Sequence, residues 1–289
     1  MIDSRISAET KRFAVLGESL PHTWSPFIHN SLFKACGREA VYLPITVPKS
    51  KLSSAIDVLG SCFSGFNVTI PYKELIIPYL DEIDDAAKAC GAVNTVENRG
   101  GKLIGHITDG LGMLRAIEEG GVATFGGHVL VLGGGGAARV AAYEFLQRGN
   151  HVTIAVRSIE KGRKLASELA SAQTDGDRRI HACTLDGIPE ASFDLLINCT
   201  PVGMYPSVHN CPVSENVIGR CRAVFDAVYN PRETALLSCA RAHGLTAIEG
   251  LGMLFYQAVE AQKFWFGSDI GVPNDTQSEI YRQLFAQLS

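Results

Sequence analysis

The stretch HVLVLGGGGAAR, His128 to Arg139, constrains the fold more than any other part of the chain. A short apolar strand runs into four consecutive glycines, and a helix-forming run, AARVAAYEFLQRG, follows at once and closes on Gly149. A second apolar strand, HVTIAVRS, comes next, so the segment reads as strand, crossover helix and parallel strand. The alternation continues, with RIHACTL, FDLLINCT, RAVFDAVY and LTAIEG as strands and KGRKLASELASA and TALLSCARAHG as helices among them. Such a pattern predicts a doubly wound parallel sheet with helices on its faces. The TDGDRR stretch near Asp175 reads as an exposed loop.

The glycines have separate physical tasks. Gly133 permits the sharp turn out of the strand, Gly135 lets backbone amides approach a pyrophosphate, and the small Ala138 lets helix and strand pack closely. Glycine-rich turns also occur without a ligand, and it is the full strand-helix-strand context that points to a dinucleotide. After the next strand, where an acidic residue usually meets the ribose of NAD, the chain has Arg157, Ser158 and Lys161. Those residues favour the extra phosphate of NADP. Lys161, with Arg163 and Lys164, also suits a solvated helix face, and Glu160 keeps NAD as the alternative.

Upstream, RFAVLGES, AVYLPITV and GFNVTIP read as strands separated by the helices PFIHNSLFKACG and SKLSSAIDVLG. DEIDDAAKACG reads as an acidic helix. VNTVEN and KLIGHIT flank Arg99, Gly100 and Gly101 as a hairpin, which brings Asn94 near Thr108 and Asp109. Two C-terminal segments, GLGMLFYQAVEAQKFWFG and the stretch after Thr276, are helical. Lys73 stands just past the third strand, where ligands of open α/β sheets bind. A positioned ammonium can protonate the oxygen of a carbonyl under reduction, and a carboxylate such as Asp109 can orient it. The same residues also suit a surface charge and a helix N-cap.

Composition excludes several classes. The chain has 289 residues, a net charge of -4 and no block of like charge, so neither nucleic acid nor an anionic membrane is an expected partner. Eight scattered cysteines without a CxxC pair suit buried thiols in a reducing cytoplasm, and no metal is expected. No apolar run reaches the roughly 18 residues of a membrane span, and the first residues lack a signal-peptide core.

Eight ordered blocks bear on identity: HTWSP at His22 to Pro26, NVTIPYK at Asn67 to Lys73, GAVNT at Gly91 to Thr95, ITDG at Ile107 to Gly110, GGGGAAR at Gly133 to Arg139, NCTPVGM at Asn198 to Met204, DAVYNP at Asp226 to Pro231 and GLGMLFYQA at Gly250 to Ala258. Together they resemble the shikimate dehydrogenase family over nearly the whole chain. The resemblance implies reversible NADP-dependent reduction of 3-dehydroshikimate to shikimate, on the route through chorismate to aromatic amino acids. It implies a two-domain α/β fold: an N-terminal substrate-binding domain, 1–108, completed by C-terminal helices, 249–289, and a Rossmann-like NADP-binding domain, 109–248. By the same resemblance Lys73 and Asp109 are the catalytic acid-base pair. Thr23 and Ser25 receive the substrate carboxylate, and Thr69, Asn94, Tyr229 and Gln257 hold ring hydroxyls or the carboxylate. Gly133, Gly134, Gly135, Gly136 and Ala137 cradle the pyrophosphate; Arg157, Ser158 and Lys161 take the adenosine phosphate; Ala227, Gly250 and Met253 lie against the nicotinamide.

Two positions depart from the family pattern. Thr23 replaces a serine and narrows the carboxylate pocket by a methyl, and Ile107 replaces an asparagine beside Asp109. These leave quinate or another cyclic hydroxy acid open as substrate, with a quinate/shikimate dehydrogenase as the rival and a nucleotide-binding sensor without turnover as a third reading. A monomer or a homodimer is expected.

Overall fold

The computed structural model describes residues 6–21, 23–172, 179–268 and 270–287. His22 of the HTWSP block and most of the TDGDRR loop lie outside the described residues. The chain forms two compact units, Met1–Thr108 with Gln257–Ser289, and Asp109–Tyr256. The return to the first unit falls at Gln257. That division lies inside a continuous helix, Leu251–Phe266, where no loop, glycine or proline marks it.

The first unit contains β1 (Lys11–Gly17), α1 (Ser25–Ala35), β2 (Ala40–Thr46), α2 (Leu52–Cys62), β3 (Gly65–Val68), α3 (Tyr72–Leu75), β4 (Glu82–Ile83), α4 (Asp85–Cys90), β5 (Thr95–Arg99) and β6 (Lys102–His106). Its sheet runs in the order β2-β1-β3-β5-β6-β4. β1 is parallel to β2 and β3, whereas β3, β5 and β6 alternate in direction. Gly100 and Gly101, at φ 65° and 94°, make the β5-β6 turn that only positive φ at both positions allows.

The acidic helix expected from DEIDDAAKACG is shorter than its composition suggests. Glu82 and Ile83 pair with Ile104 and Gly105 of β6 instead. The helix begins only after Asp84, whose carboxylate accepts the Ala87 amide at 2.7 Å as an N-cap.

Aromatic packing ties the C-terminal helix to this unit. Phe13, Val15, Phe33 and Tyr42 bury a cluster onto which Trp265 and Phe266 pack. The Phe13 and Trp265 rings lie 4.6 Å apart, and Trp265 Nε1 donates to the Val96 carbonyl at 3.0 Å. Apolar burial of the Phe13 and Val15 face of β1 thus draws on chain from the far end of the sequence.

The second unit contains α5 (Asp109–Glu119), β7 (His128–Leu132), α6 (Gly136–Gln147), β8 (His151–Val156), α7 (Ile159–Ser171), β9 (Ile180–Thr184), β10 (Phe193–Asn198), α8 (Glu215–Ile218), β11 (Cys221–Asp226), α9 (Ala235–Ala242) and β12 (Thr246–Glu249), and then the start of α10 (Leu251–Phe266); α11 (Asn274–Gln287) ends the chain. Its six strands are all parallel, in the order β12-β11-β10-β7-β8-β9. The order reverses direction between β7 and β10, so the carboxyl ends of those two strands open a crevice. This is the doubly wound Rossmann-like sheet that the alternation predicted.

Candidate active site

The crevice is a cleft of about 470 Å³ lined by Gly133 to Gly135, Val156 to Ser158, Lys161 and the Cys199 to Val202 loop. Gly133 sits at φ 112°, a conformation that side chains rarely adopt, with Thr200 Cγ2 only 3.2 Å from where a Cβ would stand. Gly135 caps α6, and a Cβ added at Gly135 or Gly136 would meet nothing within 4 Å. The helix N-terminus therefore faces open space, with unpaired amides and the positive end of its dipole directed at whatever enters. Arg157 and Lys161, both exposed, carry positive charge at the β8 end of the same cleft. This donor set fits a dinucleotide with a further phosphate on its adenosine end.

One acidic group modifies that end. Ser158 Oγ donates to Glu160 Oε2 at 2.9 Å. The Glu160 carboxyl is held below the usual carboxylate range by a bond from its own backbone amide first and by Ser158 second. Glu160 is thus anionic at neutral pH, with Arg163 as its charged neighbour.

A buried polar knot fastens the β10 and β11 ends. Asn198 Nδ2 donates to Asp226 Oδ1 at 2.9 Å, Thr234 Oγ1 to Asp226 Oδ2 at 2.7 Å, and the Val228 amide to Oδ1 at 3.0 Å. Burial pushes the Asp226 carboxyl up, against these three donors. Asn198 Oδ1 in turn accepts the Thr200 amide and hydroxyl at 3.0 and 2.7 Å, which sets the loop on the cleft wall. Gly250 lies against Ala227 so closely that a Cβ would come within 2.6 Å of the Ala227 carbonyl oxygen. Met253 follows on α10, half-buried, and Tyr229 is exposed beyond β11.

In the first unit a run of hydrogen bonds connects polar residues from separate elements. Tyr42 Oη on β2 donates to Asn67 Oδ1 on β3 at 2.6 Å, and Asn67 Nδ2 reaches Thr95 Oγ1 at 3.0 Å. Thr95 donates to Asn94 Oδ1 at 3.0 Å, which also accepts the Thr108 amide at 2.8 Å. Tyr42 also engages the Ser25 hydroxyl, and burial raises its own phenol far above the ordinary value. Ser25 opens α1 and Thr23 precedes it by two residues, so both hydroxyls stand at a helix N-terminus. Such a place suits a carboxylate without any basic side chain.

Lys73 lies half-buried on α3, and its carbonyl accepts the Val93 amide at 2.8 Å, next to Asn94. Thr69 immediately precedes that turn, with its amide bonded to the Leu16 carbonyl at 3.0 Å. Asp109 is the first residue of α5 and Gln257 lies on α10, both half-buried.

Comparison with known proteins follows this geometry. Residues 15–96 match the shikimate dehydrogenase substrate binding domain. The chain is 41% identical over 262 residues to the NADP(+) shikimate dehydrogenase of Symbiobacterium thermophilum, covering 88% of each. The chain belongs to the shikimate dehydrogenase family. A crystal structure of a shikimate dehydrogenase in complex with NADP+ superposes with a TM-score of 0.87 at 37% identity, covering 98% of this chain and 99% of that one. The shikimate dehydrogenase of Listeria monocytogenes, solved with shikimate and NAD, gives 0.88 at 30% identity over 96% of this chain and 99% of that one.

Within this shikimate dehydrogenase family fold, the motif residues gather into two sets. Gly133, Gly134, Gly135, Arg157, Ser158 and Lys161 line one cleft in the second unit, with Gly136 and Ala137 opening α6 beside it. Ser25, Asn94 and Thr108 share one hydrogen-bonded network in the first unit, with Thr69 and Lys73 a turn away. Cys199, Thr200, Pro201 and Val202 also wall the cleft, although only their NCTPVGM block marked them in the sequence. Burial drives the Cys199 thiol far above its ordinary value, with Asp226 adding to the effect, so it is a wall and not a nucleophile. Ile107 is 3% exposed, and the backbone of Thr108 is held by Asn94. Support of Thr108 therefore needs no side chain at position 107.

Among the described residues, no helix is long and apolar enough to cross a membrane.

Proposed function

We propose that this protein reduces 3-dehydroshikimate to shikimate reversibly with NADPH, as a step in building aromatic amino acids. The observation that carries the reading is the cleft at the β7-β10 crevice, with its bare glycine floor and Arg157 and Lys161 at the far end. NADPH, when bound there, supplies the hydride. The Gly135 and Gly136 turn and the α6 amides hold its pyrophosphate, Arg157, Ser158 and Lys161 its adenosine phosphate, and Ala227, Gly250 and Met253 border the nicotinamide.

Thr23 and Ser25 bind the substrate carboxylate, and Thr69, Asn94, Tyr229 and Gln257 the carboxylate or ring hydroxyls. Lys73 gives its proton to the carbonyl oxygen as negative charge develops there, and Asp109 keeps that ammonium charged and oriented. In the reverse direction Lys73 takes the hydroxyl proton. Residues 1–108 with the C-terminal helices serve the substrate, and the second unit serves the nucleotide. Eight free cysteines support a reducing cytoplasm as the place of action.

Glu160, beside Ser158, favours a second reading in which NAD is used and quinate is a substrate. Steady-state oxidation of shikimate and of quinate, each with NADP and with NAD, separates them. A dominant rate with shikimate and NADP is expected. Strong quinate or NAD turnover would move the assignment to the rival, and silence in all four would leave another ring acid as substrate or a nucleotide sensor.

A further inference from the structure

We propose that Glu215, Cys239 and His243 form a binding site for one transition-metal ion of the zinc class on the second unit. One ligand atom from each lies within 4.8 Å of those of the other two. Cys239 and His243 stand four residues apart at the end of α9, so their side chains share one face of that helix. Glu215 opens α8 and reaches the same point from a separate element.

The histidine is oriented as a ligand would be. His243 Nδ1 lies 3.0 Å from the Cys239 carbonyl oxygen, an acceptor that fixes the proton on Nδ1 and leaves a lone pair on Nε2. That lone pair faces Glu215 Oε1 at 3.5 Å. Two acceptors facing each other repel unless a cation lies between them. A separation of 3.5 Å is close to the edge of a tetrahedron built on metal bonds of about 2.0 Å. Cys239 supplies the soft donor that selects zinc or cobalt over magnesium and calcium.

The donors balance the ion. Binding expels the thiol proton of Cys239 to solvent, and the resulting thiolate with the Glu215 carboxylate neutralises a divalent charge, His243 remaining neutral. Three protein ligands leave a fourth position to water. Ligation would also pin the start of α8, three residues after Pro212 in the wall of the nucleotide cleft. Cys239 and His243 share an i, i+4 spacing but Glu215 stands far from both in sequence, so only the fold brings the three together.

The test uses the full chain, stripped with a chelator and titrated with Co2+ and then Zn2+. The expected result is one Co2+ per chain, a sulfur-to-cobalt charge-transfer band in the near ultraviolet, displacement of that band by Zn2+, and a rise in melting temperature with either ion. Cys239→Ser should abolish the band and His243→Asn should weaken Co2+ binding by at least about tenfold. Both variants should keep wild-type melting in chelator, which shows that they fold. A band that persists in Cys239→Ser, or no band in the wild type with Co2+ in excess, would overturn the proposal. None of these readouts depends on the dehydrogenase assignment.

Discussion

Tyr42 Oη donates to Asn67 Oδ1 across 2.6 Å, and that bond sets the direction of every later bond in the run that ends on Thr108. Because Asn67 Oδ1 is spoken for, its amide nitrogen must face Thr95 and the Asn94 carbonyl. Tyr42→Phe deletes one oxygen without opening a large cavity. It leaves a buried acceptor unpaired and should cost about 1–3 kcal/mol in denaturant unfolding. We also expect the kcat/KM for shikimate to fall about tenfold, with the KM for NADP unchanged. Unchanged kinetics in a destabilised variant would reduce the run to a structural device.

Lys73→Ala should lower turnover by roughly a hundredfold or more while NADP affinity, read by fluorescence titration, stays close to wild type. A variant with wild-type turnover would remove Lys73 from the chemistry.

Arg157 and Glu160 should act in opposite senses on cofactor choice. Arg157→Ala removes a charge-assisted contact and should weaken NADP by about tenfold or more, with little change for NAD. Glu160→Gln removes a negative charge one turn from the phosphate-binding residues, so it should tighten NADP. Parallel changes for NADP and NAD in both variants would show that these side chains do not face the phosphate.

His29 offers a prediction in pH. It is fully buried, stacked on Tyr42 at 4.2 Å, and burial lowers its imidazole from 6.5 to about 3. Above pH 6.5 both folded and unfolded chains carry it neutral, so its stabilising contribution is complete there. As pH falls below 6.5 the unfolded chain gains a proton that the folded chain refuses until about pH 3, and stability is lost across that window. The unfolding free energy of the wild type should therefore fall more steeply with acid than that of His29→Gln, by about 1.4 kcal/mol per pH unit at most. Equal slopes between pH 4 and 6 would mean that His29 is protonated in the folded state.

Much of this architecture was legible because local pattern and tertiary need agree. The β7-α6-β8 segment has strand period, glycine turn and helix in immediate succession, and it folds as written. The β5-β6 hairpin was legible from Gly100 and Gly101, and with it the meeting of Asn94 and Thr108. Other features depend on partners distant in sequence. Glu82 and Ile83 look helical until β6 supplies a strand to pair with, and Asp84 looks like one acid among several until it caps α4. The division at Gln257 is silent because helix propensity continues straight through it. Thr200 and Val202 reach the cleft only through the hydrogen bonds of Asn198, which no spacing rule reveals.

The floor of the nucleotide cleft is made of hydrogen atoms. At Gly135 and Gly136 a methyl group would touch no other part of the protein, so packing sets no limit on what stands there. What asks for bare positions there, on the proposed function, is the pyrophosphate that has to approach the backbone. An alanine at either position should leave the core packed as before and weaken the nucleotide. The proposed activity could thus be weakened without any trace in the core.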